Sequence, residues 1–124
     1  MVDVVAKRIE EMVAHKGSHE IPGIAFLPAG KALGVTAWGM NVLVLAPNVN
    51  GYPEHDHVGD GQEEVYVLLK GTAMLRAGGH EWRMEPGMLV RVGPGEKRKL
   101  VPGDMGATVL ALGATPGKAH SVRK

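Results

Sequence analysis

Residues 51–71 read GYPEHDHVGDGQEEVYVLLKG, and this stretch places a polar, turn-rich segment directly before an apolar run. The run from Glu64 to Leu69 is rich in β-branched, aromatic and aliphatic residues, which favours a β-strand. Two histidines, His55 and His57, precede it and are separated by a single residue. Residues two apart on an extended segment point to the same face, so both imidazoles are expected to project together.

The sequence before and after residues 51–71 also consists of short apolar runs separated by Gly and Pro. The chain holds 18 glycines and 8 prolines spread along 124 residues, which is typical of many tight turns. The pattern predicts strands at 24–27, 35–38, 41–45, 64–69, 73–76, 81–84, 88–92, 98–101 and 107–112. Residues 77–80 are predicted to form a hairpin turn, and further turns are predicted at 86–87, 94–95 and 102–104.

Many short strands with evenly spaced turns predict an all-β, antiparallel barrel or sandwich, because closure removes exposed sheet edges. A barrel of about eight strands can hold one small ligand in its mouth. We therefore expect a β-barrel over residues 21–116, followed by a tail at 117–124.

The first 20 residues show a different pattern, because four apolar residues recur at helical spacing: Val5, Ile9, Met12 and Val13. Asp3 can cap the start of a helix and Gly17 can end it. The segment 1–20 is therefore predicted to be an N-terminal helix that packs outside the barrel or against a second subunit.

Composition narrows the classes of function. Hydrophobic residues make up 44% and charged residues 22%, with a net charge of +1, so a concentrated basic face for nucleic acid is not expected. No apolar stretch approaches the ~20 residues that span a bilayer, and there is no signal-peptide pattern, so we expect a cytoplasmic protein without membrane contact. The chain has no cysteine, which leaves His and carboxylate side chains as the ligands for any metal.

The residues that carry candidate chemistry are His55, His57 and Glu64. If the face of Glu64 is the barrel interior, two imidazoles and one carboxylate converge within an apolar shell. Such a set suits Fe(II), Mn(II), Ni(II), Cu(II) or Zn(II), and it leaves coordination positions open for a substrate or for dioxygen.

This arrangement resembles the first motif of the cupins, Gly-x5-His-x-His-x3,4-Glu-x6-Gly. His55 and His57 match the histidine pair, and Glu64 is followed by six residues and Gly71. Val49 stands in place of the leading Gly, and the gap before Glu64 is two residues longer, with 59–61 as the apparent insertion. The resemblance to small single-domain cupins implies a double-stranded β-helix, or jelly roll. It also implies a divalent metal held by the two histidines and Glu64, and a homodimer.

The second cupin motif, Gly-x5-Pro-x-Gly-x2-His-x3-Asn, maps onto residues 87–102. Gly87 and Gly95 match, Gly93 stands at the Pro position, and Arg98 replaces the histidine that is usually the fourth metal ligand. Three outcomes are open. Arg98 points away and leaves a three-ligand site, or it pairs with Glu64 in a pocket for carboxylates or phosphates, or a shifted register brings another residue in.

These residues favour a metal-dependent cupin that acts on a small molecule, with a dioxygenase-like oxidoreductase as the leading reaction type. Whether the protein is an enzyme is left open. Tyr66 and Arg98 are candidate pocket residues; Tyr66 either donates a hydrogen bond to a ligand or fills the core. The alternative function is a metal-free cupin that binds or senses an anionic small molecule through Arg98. A third interpretation is a barrel that serves mainly to form a dimer.

Overall fold

The computed structural model describes residues 2–15 and 20–121 and shows a mostly antiparallel β structure. The helical segments of these ranges are a 3-10 turn (Ile9–Glu11) and one short α-helix, α1 (Ala29–Leu33). The strands are β1 (Ile24–Leu27), β2 (Gly39–Leu45), β3 (Glu63–Ala77), β4 (His80–Met84), β5 (Leu89–Val92) and β6 (Arg98–Ala114). Neither helical segment is long and apolar enough to cross a membrane.

The two long strands β3 and β6 pair antiparallel along their whole length and organise the sheet. The strand order is β1-β2-β6-β3-β4, and β5 also pairs with β3. The first half of β3 lies between β5 and the end of β6, whereas its second half lies between β4 and the start of β6. Each long strand therefore contributes to both ends of the fold.

A sharp bend in β3 and β6 lets their two halves face a common core. The register between these strands shifts on either side of Gly71, as expected for β-bulges, which bend a sheet locally. Gly71 and Gly106 have φ of 79° and 75°, and a Cβ on Gly71 would overlap the Gly106 carbonyl oxygen. A straight strand of 15 residues would span about 50 Å, so the bend is what gives the sheet an interior.

The interior is filled by alternate side chains of the strands, in agreement with the period of two. Leu68, Leu75, Met84, Leu100 and Val109 are all fully buried. A second, smaller cluster lies on the outer side of β1 and β2, where Ile9 and Met12 pack against Leu27, Ala29 and Val42.

The all-β antiparallel fold and most predicted strands are confirmed, with two physical differences. Pairs of predicted strands merge into the bent strands β3 and β6, so the predicted turn at 102–104 lies inside β6. The predicted strand 35–38 is wrong, because α1 and the left-handed Gly34 (φ 79°) precede a non-strand segment there. The hairpin turn at 77–80 is confirmed, with Gly78 and Gly79 both at positive φ.

The predicted N-terminal helix over 1–20 is wrong for residues 2–15, where only the 3-10 turn Ile9–Glu11 is helical. The backbone is extended at Arg8 and Met12, and the N–H of His15 donates to the Phe26 carbonyl beside the edge strand β1. Ile9 and Met12 reach the sheet from this extended chain, so their burial does not need a helix. Gly17, its predicted end, and the last residues of the predicted tail lie outside the described residues.

Candidate metal centre

Backbone hydrogen bonds fix the histidine segment beside the start of β6. His55 and Arg98 form a two-way bridge, with N–H to carbonyl distances of 3.1 and 2.8 Å. The His57 N–H donates to the Pro94 carbonyl at 2.9 Å. The segment is therefore extended across 55–57, and both imidazoles project to one side with ring centroids 5.2 Å apart.

The structure brings His55, His57 and Glu64 together. Glu64 Oε1 lies 3.7 Å from Nε2 of His55 and 3.2 Å from Nε2 of His57. One potential ligand atom from each residue lies within 4.8 Å of the others. The side chain of His55 is 31% exposed, that of His57 19% and that of Glu64 14%. The group therefore lies near the protein surface and is open to solvent on the side of His55.

The Nδ1 atoms of both histidines are held by oxygen acceptors. Nδ1 of His55 lies 3.0 Å from the Pro53 carbonyl, and Nδ1 of His57 lies 3.1 Å from Asp60 Oδ1. A carbonyl only accepts, so His55 carries its proton on Nδ1 and presents the Nε2 lone pair to Glu64 when neutral. Such contacts orient histidines that ligate metals.

The hydroxyls of two buried tyrosines, Tyr66 and Tyr52, lie near the Glu64 carboxylate. The Tyr66 hydroxyl donates to Glu64 Oε1 at 2.8 Å, and the Tyr52 hydroxyl lies 3.4 Å from that of Tyr66. Tyr66 is only 1% exposed, so its ring fills the core while its hydroxyl holds Glu64. Of the two roles that the sequence left open for Tyr66, the structure shows the ring filling the core, while the hydroxyl donates to Glu64 rather than to a ligand.

The local charges shift the pKa values within this group. Burial alone would raise the pKa of Glu64, but His55, the Tyr66 hydroxyl and the charges of His57 and Arg98 together lower it. The interaction with the Glu64 carboxylate raises the pKa of His55 against the opposing effect of burial. Burial raises the pKa of Tyr52 to about 12 and also raises that of Tyr66.

Arg98 is fully buried and points into the same group. Its Nη1 lies 3.6 Å from Glu64 Oε1, and its Nη2 donates to the Gly93 carbonyl at 2.8 Å. Nε and Nη1 are buried, and no described residue offers either of them a hydrogen bond. Of the three outcomes left open, the structure shows the one in which Arg98 faces Glu64.

The donor set fits a divalent metal ion. Nε2 of His57 is buried and has no hydrogen-bond partner among residues 2–15 and 20–121, because its 3.2 Å approach to Glu64 lacks hydrogen-bonding geometry. Ligands of a metal with bonds of about 2.1 Å are separated by about 3.0–3.4 Å. The 3.2 Å between Glu64 and His57 lies in this range, and the 3.7 Å between Glu64 and His55 is slightly longer. Arg98 is the one unfavourable feature, since its charge repels a cation at this position.

Asp60 is a site residue that the sequence analysis missed. It lies in the turn 58–60, which overlaps the apparent insertion at 59–61, and its carboxylate holds His57. Thr115 anchors this turn by donating to the Asp60 carbonyl at 2.8 Å. The signal was an acidic residue three positions after a candidate ligand, followed by a glycine that permits a tight turn (Gly61, φ 70°).

Other polar residues near the motif lie outside the group. Glu63, next to Glu64, forms an ion pair with Arg91 of β5, and both side chains are largely exposed. Asp56 accepts a hydrogen bond from the Val58 N–H within its own turn. His80 stacks near Trp82 on the exposed hairpin, with ring centroids 5.9 Å apart. Arg91 and His80 therefore offer matched controls for Arg98 and His57.

Comparisons with solved structures identify the fold as that of the cupins, as the sequence motifs implied. A sugar phosphate isomerase of the cupin superfamily from Silicibacter pomeroyi matches with a TM-score of 0.76 and 24% identity, over 90% of this chain and 77% of that one. A cupin protein from Bacteroides fragilis matches with a TM-score of 0.61 and 20% identity, over 91% and 92% of the two chains.

A protein described as a predicted oxalate decarboxylase, from Thermotoga maritima, matches with a TM-score of 0.64 and 19% identity, over 90% of this chain and 99% of that one. No family model and no curated protein sequence matches the chain. At these identities the comparisons establish the fold, whereas the activity has to be argued from the site.

Proposed function

We propose that this chain is a metal-dependent cupin that binds one divalent metal and acts on a small molecule at the barrel mouth. His55, His57 and Glu64 would hold the metal, with Fe, Mn, Ni, Cu and Zn as the ions that suit this set. The observation that carries the proposal is the buried Nε2 of His57, which has no hydrogen-bond partner in the described part of the chain and lies 3.2 Å from a carboxylate oxygen of Glu64. Burying such a group without a ligand costs free energy.

The residues around the ligands have separable tasks. Asp60 and the Pro53 carbonyl orient the two imidazoles, so that each Nε2 faces the centre. The Tyr66 hydroxyl donates to one carboxylate oxygen of Glu64 and so fixes its position. The lowered pKa of Glu64 keeps it ionised, as a metal ligand must be.

The finer proposal is a dioxygenase-like reaction. Two histidines and one carboxylate form the donor set of the facial triad in non-haem iron oxygenases. When bound, such a metal supplies open positions at which a small molecule and dioxygen can be activated. The neighbours named above are described as a sugar phosphate isomerase and a predicted oxalate decarboxylase, so the fold alone does not select the reaction.

A metal-free protein that binds an anionic small molecule is the second candidate. The observation that favours it is Arg98, a fully buried cation whose Nε and Nη1 have no hydrogen-bond partner among the residues that the structure describes. In this alternative the guanidinium itself is the recognition element, and the histidines only line the mouth. It predicts ligand binding that is unaffected by chelators.

Metal content tests the first proposal. We expect close to one equivalent of metal per chain, by elemental mass spectrometry, after loading with Fe(II), Mn(II), Ni(II), Cu(II) or Zn(II) and removal of free ion. His57→Ala should lose this metal, whereas His80→Ala, which alters an exposed histidine outside the group, should retain it. Equal retention by all three proteins, or none in the parent, would contradict the proposal.

Dioxygen uptake tests the finer step. Fe(II)-loaded parent protein is mixed with a panel of small carboxylic acids and sugar phosphates in an oxygen electrode. The dioxygenase-like proposal expects uptake above the His57→Ala background with at least one of them. If a compound is converted without uptake, the metal-dependent proposal stands and the oxygenase step is wrong.

A further inference from the structure

Arg98 has more hydrogen-bonding capacity than the described residues satisfy. The side chain is 0% exposed, and its one hydrogen bond runs from Nη2 to the Gly93 carbonyl. Within the described ranges, Nε and Nη1 have no hydrogen-bond partner, and the nearest counter-charge is Glu64 Oε1, 3.6 Å from Nη1. A buried guanidinium with free N–H groups is stable only if an anion offsets its charge.

Glu64 cannot serve Arg98 and a metal equally well. The same oxygen, Oε1, lies near Nη1 of Arg98 and near Nε2 of both histidines. A cation bound between the histidines and Glu64 would compete with Arg98 for that oxygen. Arg98 and Glu64 cancel each other's charge, so a divalent ion would leave the group with two uncompensated positive charges.

We propose that Arg98 makes the metal-loaded site selective for small oxyanions, either a carboxylate or a phosphate. The ligand's negative charge replaces the counter-charge that Glu64 gives up to the metal, and the free N–H groups of Arg98 donate to its oxygens. This inference rests on the proposed function and names the class of molecule that the same site accepts. The cupin motif has a histidine at position 98. A histidine could not provide this selectivity, because it would itself be a metal ligand.

The packing beneath the group keeps the ligand small and near the mouth. Tyr66 is 1% exposed, Tyr52 is 4% exposed and Leu100 is fully buried, so the barrel interior below Glu64 is filled. Access is from the side of His55, whose side chain is the most exposed of the three candidate ligands. A small anion fits this arrangement, whereas a long apolar chain does not.

The charge argument predicts that metal and anion strengthen each other's binding by the same factor. We would titrate Mn(II) into the protein by calorimetry, alone and with malonate, inorganic phosphate or the neutral malonamide. Malonate or phosphate should tighten Mn(II) binding by about tenfold, within the usual range of coupling between two sites, and malonamide should not. The more effective of the two anions identifies the chemistry of the natural ligand.

Substitutions assign the coupling to Arg98. Arg98→Met keeps the approximate volume and removes the charge, so the effect of the anion should fall below about twofold. Mn(II) binding without anion should stay equal or become tighter, since a repulsive charge is lost. Arg91 is an exposed arginine that pairs with Glu63 on the neighbouring strand. In Arg91→Met the anion should therefore strengthen Mn(II) binding as much as it does in the parent. Arg98→Lys keeps the positive charge but loses the planar set of N–H donors, so the anion should strengthen Mn(II) binding in this variant by an intermediate factor.

The outcomes separate this inference from the function on which it rests. No Mn(II) binding in the parent, with or without anion, overturns both. Mn(II) binding that malonate and phosphate leave unchanged, or that malonamide strengthens equally, overturns the inference alone. Undiminished coupling in Arg98→Met also overturns it. If Arg98→Met does not fold, the comparison of anions with malonamide in the parent and in Arg98→Lys still decides the question.

Discussion

The guanidinium of Arg98 lies 3.6 Å from the carboxylate of Glu64, although the two residues stand near opposite ends of the paired strands β3 and β6. Arg98 pairs with Ala77 at one end, and Glu64 pairs with Gly113 at the other. The bend at Gly71 and Gly106 turns the two halves of the sheet toward each other and so brings the ends together. The site is therefore a consequence of the curvature as much as of the motif.

Gly71→Ala should destabilise the protein by more than the usual penalty of a left-handed residue. Positive φ alone costs an L-residue about 1–2 kcal/mol, and here the new Cβ would also overlap the Gly106 carbonyl oxygen. Gly34→Ala is the control, because Gly34 has the same φ of 79° and no atom within 4 Å of a Cβ. Urea denaturation should rank parent, Gly34→Ala and Gly71→Ala in falling stability; equal losses would mean that the close approach is unimportant.

Asp60→Asn should weaken metal binding by about tenfold, at the lower end for residues that orient a ligand, since Asp60 is partly exposed. The carboxylate lies 3.1 Å from Nδ1 of His57 and favours the imidazole form that presents Nε2 to the metal. Asp56→Asn is the matched control, because Asp56 bonds only within its own turn among the described contacts. The check is the Mn(II) dissociation constant, and a larger loss in Asp56→Asn would refute the orienting role.

Tyr66→Phe should lower the free energy of unfolding of metal-free protein by about 1–3 kcal/mol. The substitution removes a 2.8 Å hydrogen bond to a mostly buried carboxylate, and the core keeps its aromatic ring. Tyr52→Phe should cost less, because the Tyr52 hydroxyl makes only the longer 3.4 Å contact with Tyr66. Denaturation curves for the two variants provide the test, and the reverse order would show that Tyr66 does not hold Glu64.

Metal loading should weaken as the solution becomes more acidic. A proton and a metal compete for Nε2 of His55, whose pKa Glu64 raises above its ordinary value of 6.5. The apparent affinity should be flat well above that raised pKa and fall by about tenfold per pH unit below it. Titrations from about pH 8 to about pH 5 provide the measurement. An affinity that stays constant to the acid limit would exclude His55 as a ligand.

The sequence predicted the local elements of the site better than the contacts across it. The spacing of His55 and His57 indicates one face, and the apolar run after Glu64 indicates a strand, because both follow from the period of two. The ion pair of Arg98 with Glu64 was one of three outcomes that the sequence left open. The sequence could not select it, since the pairing depends on a bend at the close approach of Gly71 to Gly106.

In the N-terminal segment, the local prediction itself was wrong. Its apolar spacing fits a helix, but pairing of His15 with Phe26 and packing of Ile9 and Met12 on the sheet stabilise an extended chain instead. Tertiary contacts therefore override a local pattern that carries little intrinsic helix stability. The homodimer and the cytoplasmic location stay predictions; sedimentation velocity, with an expected mass of twice the monomer, tests the first of them.

Anomalous diffraction from crystals loaded with Mn(II) or Zn(II) tests the central claim most directly. Data collected above and below the absorption edge of the metal locate it without reference to any assumed ligand. The account predicts one peak per chain within about 2.0–2.3 Å of Nε2 of His55, Nε2 of His57 and a carboxylate oxygen of Glu64. A peak bound elsewhere, or no peak in crystals soaked with excess metal, would contradict the assignment of this group as a metal centre.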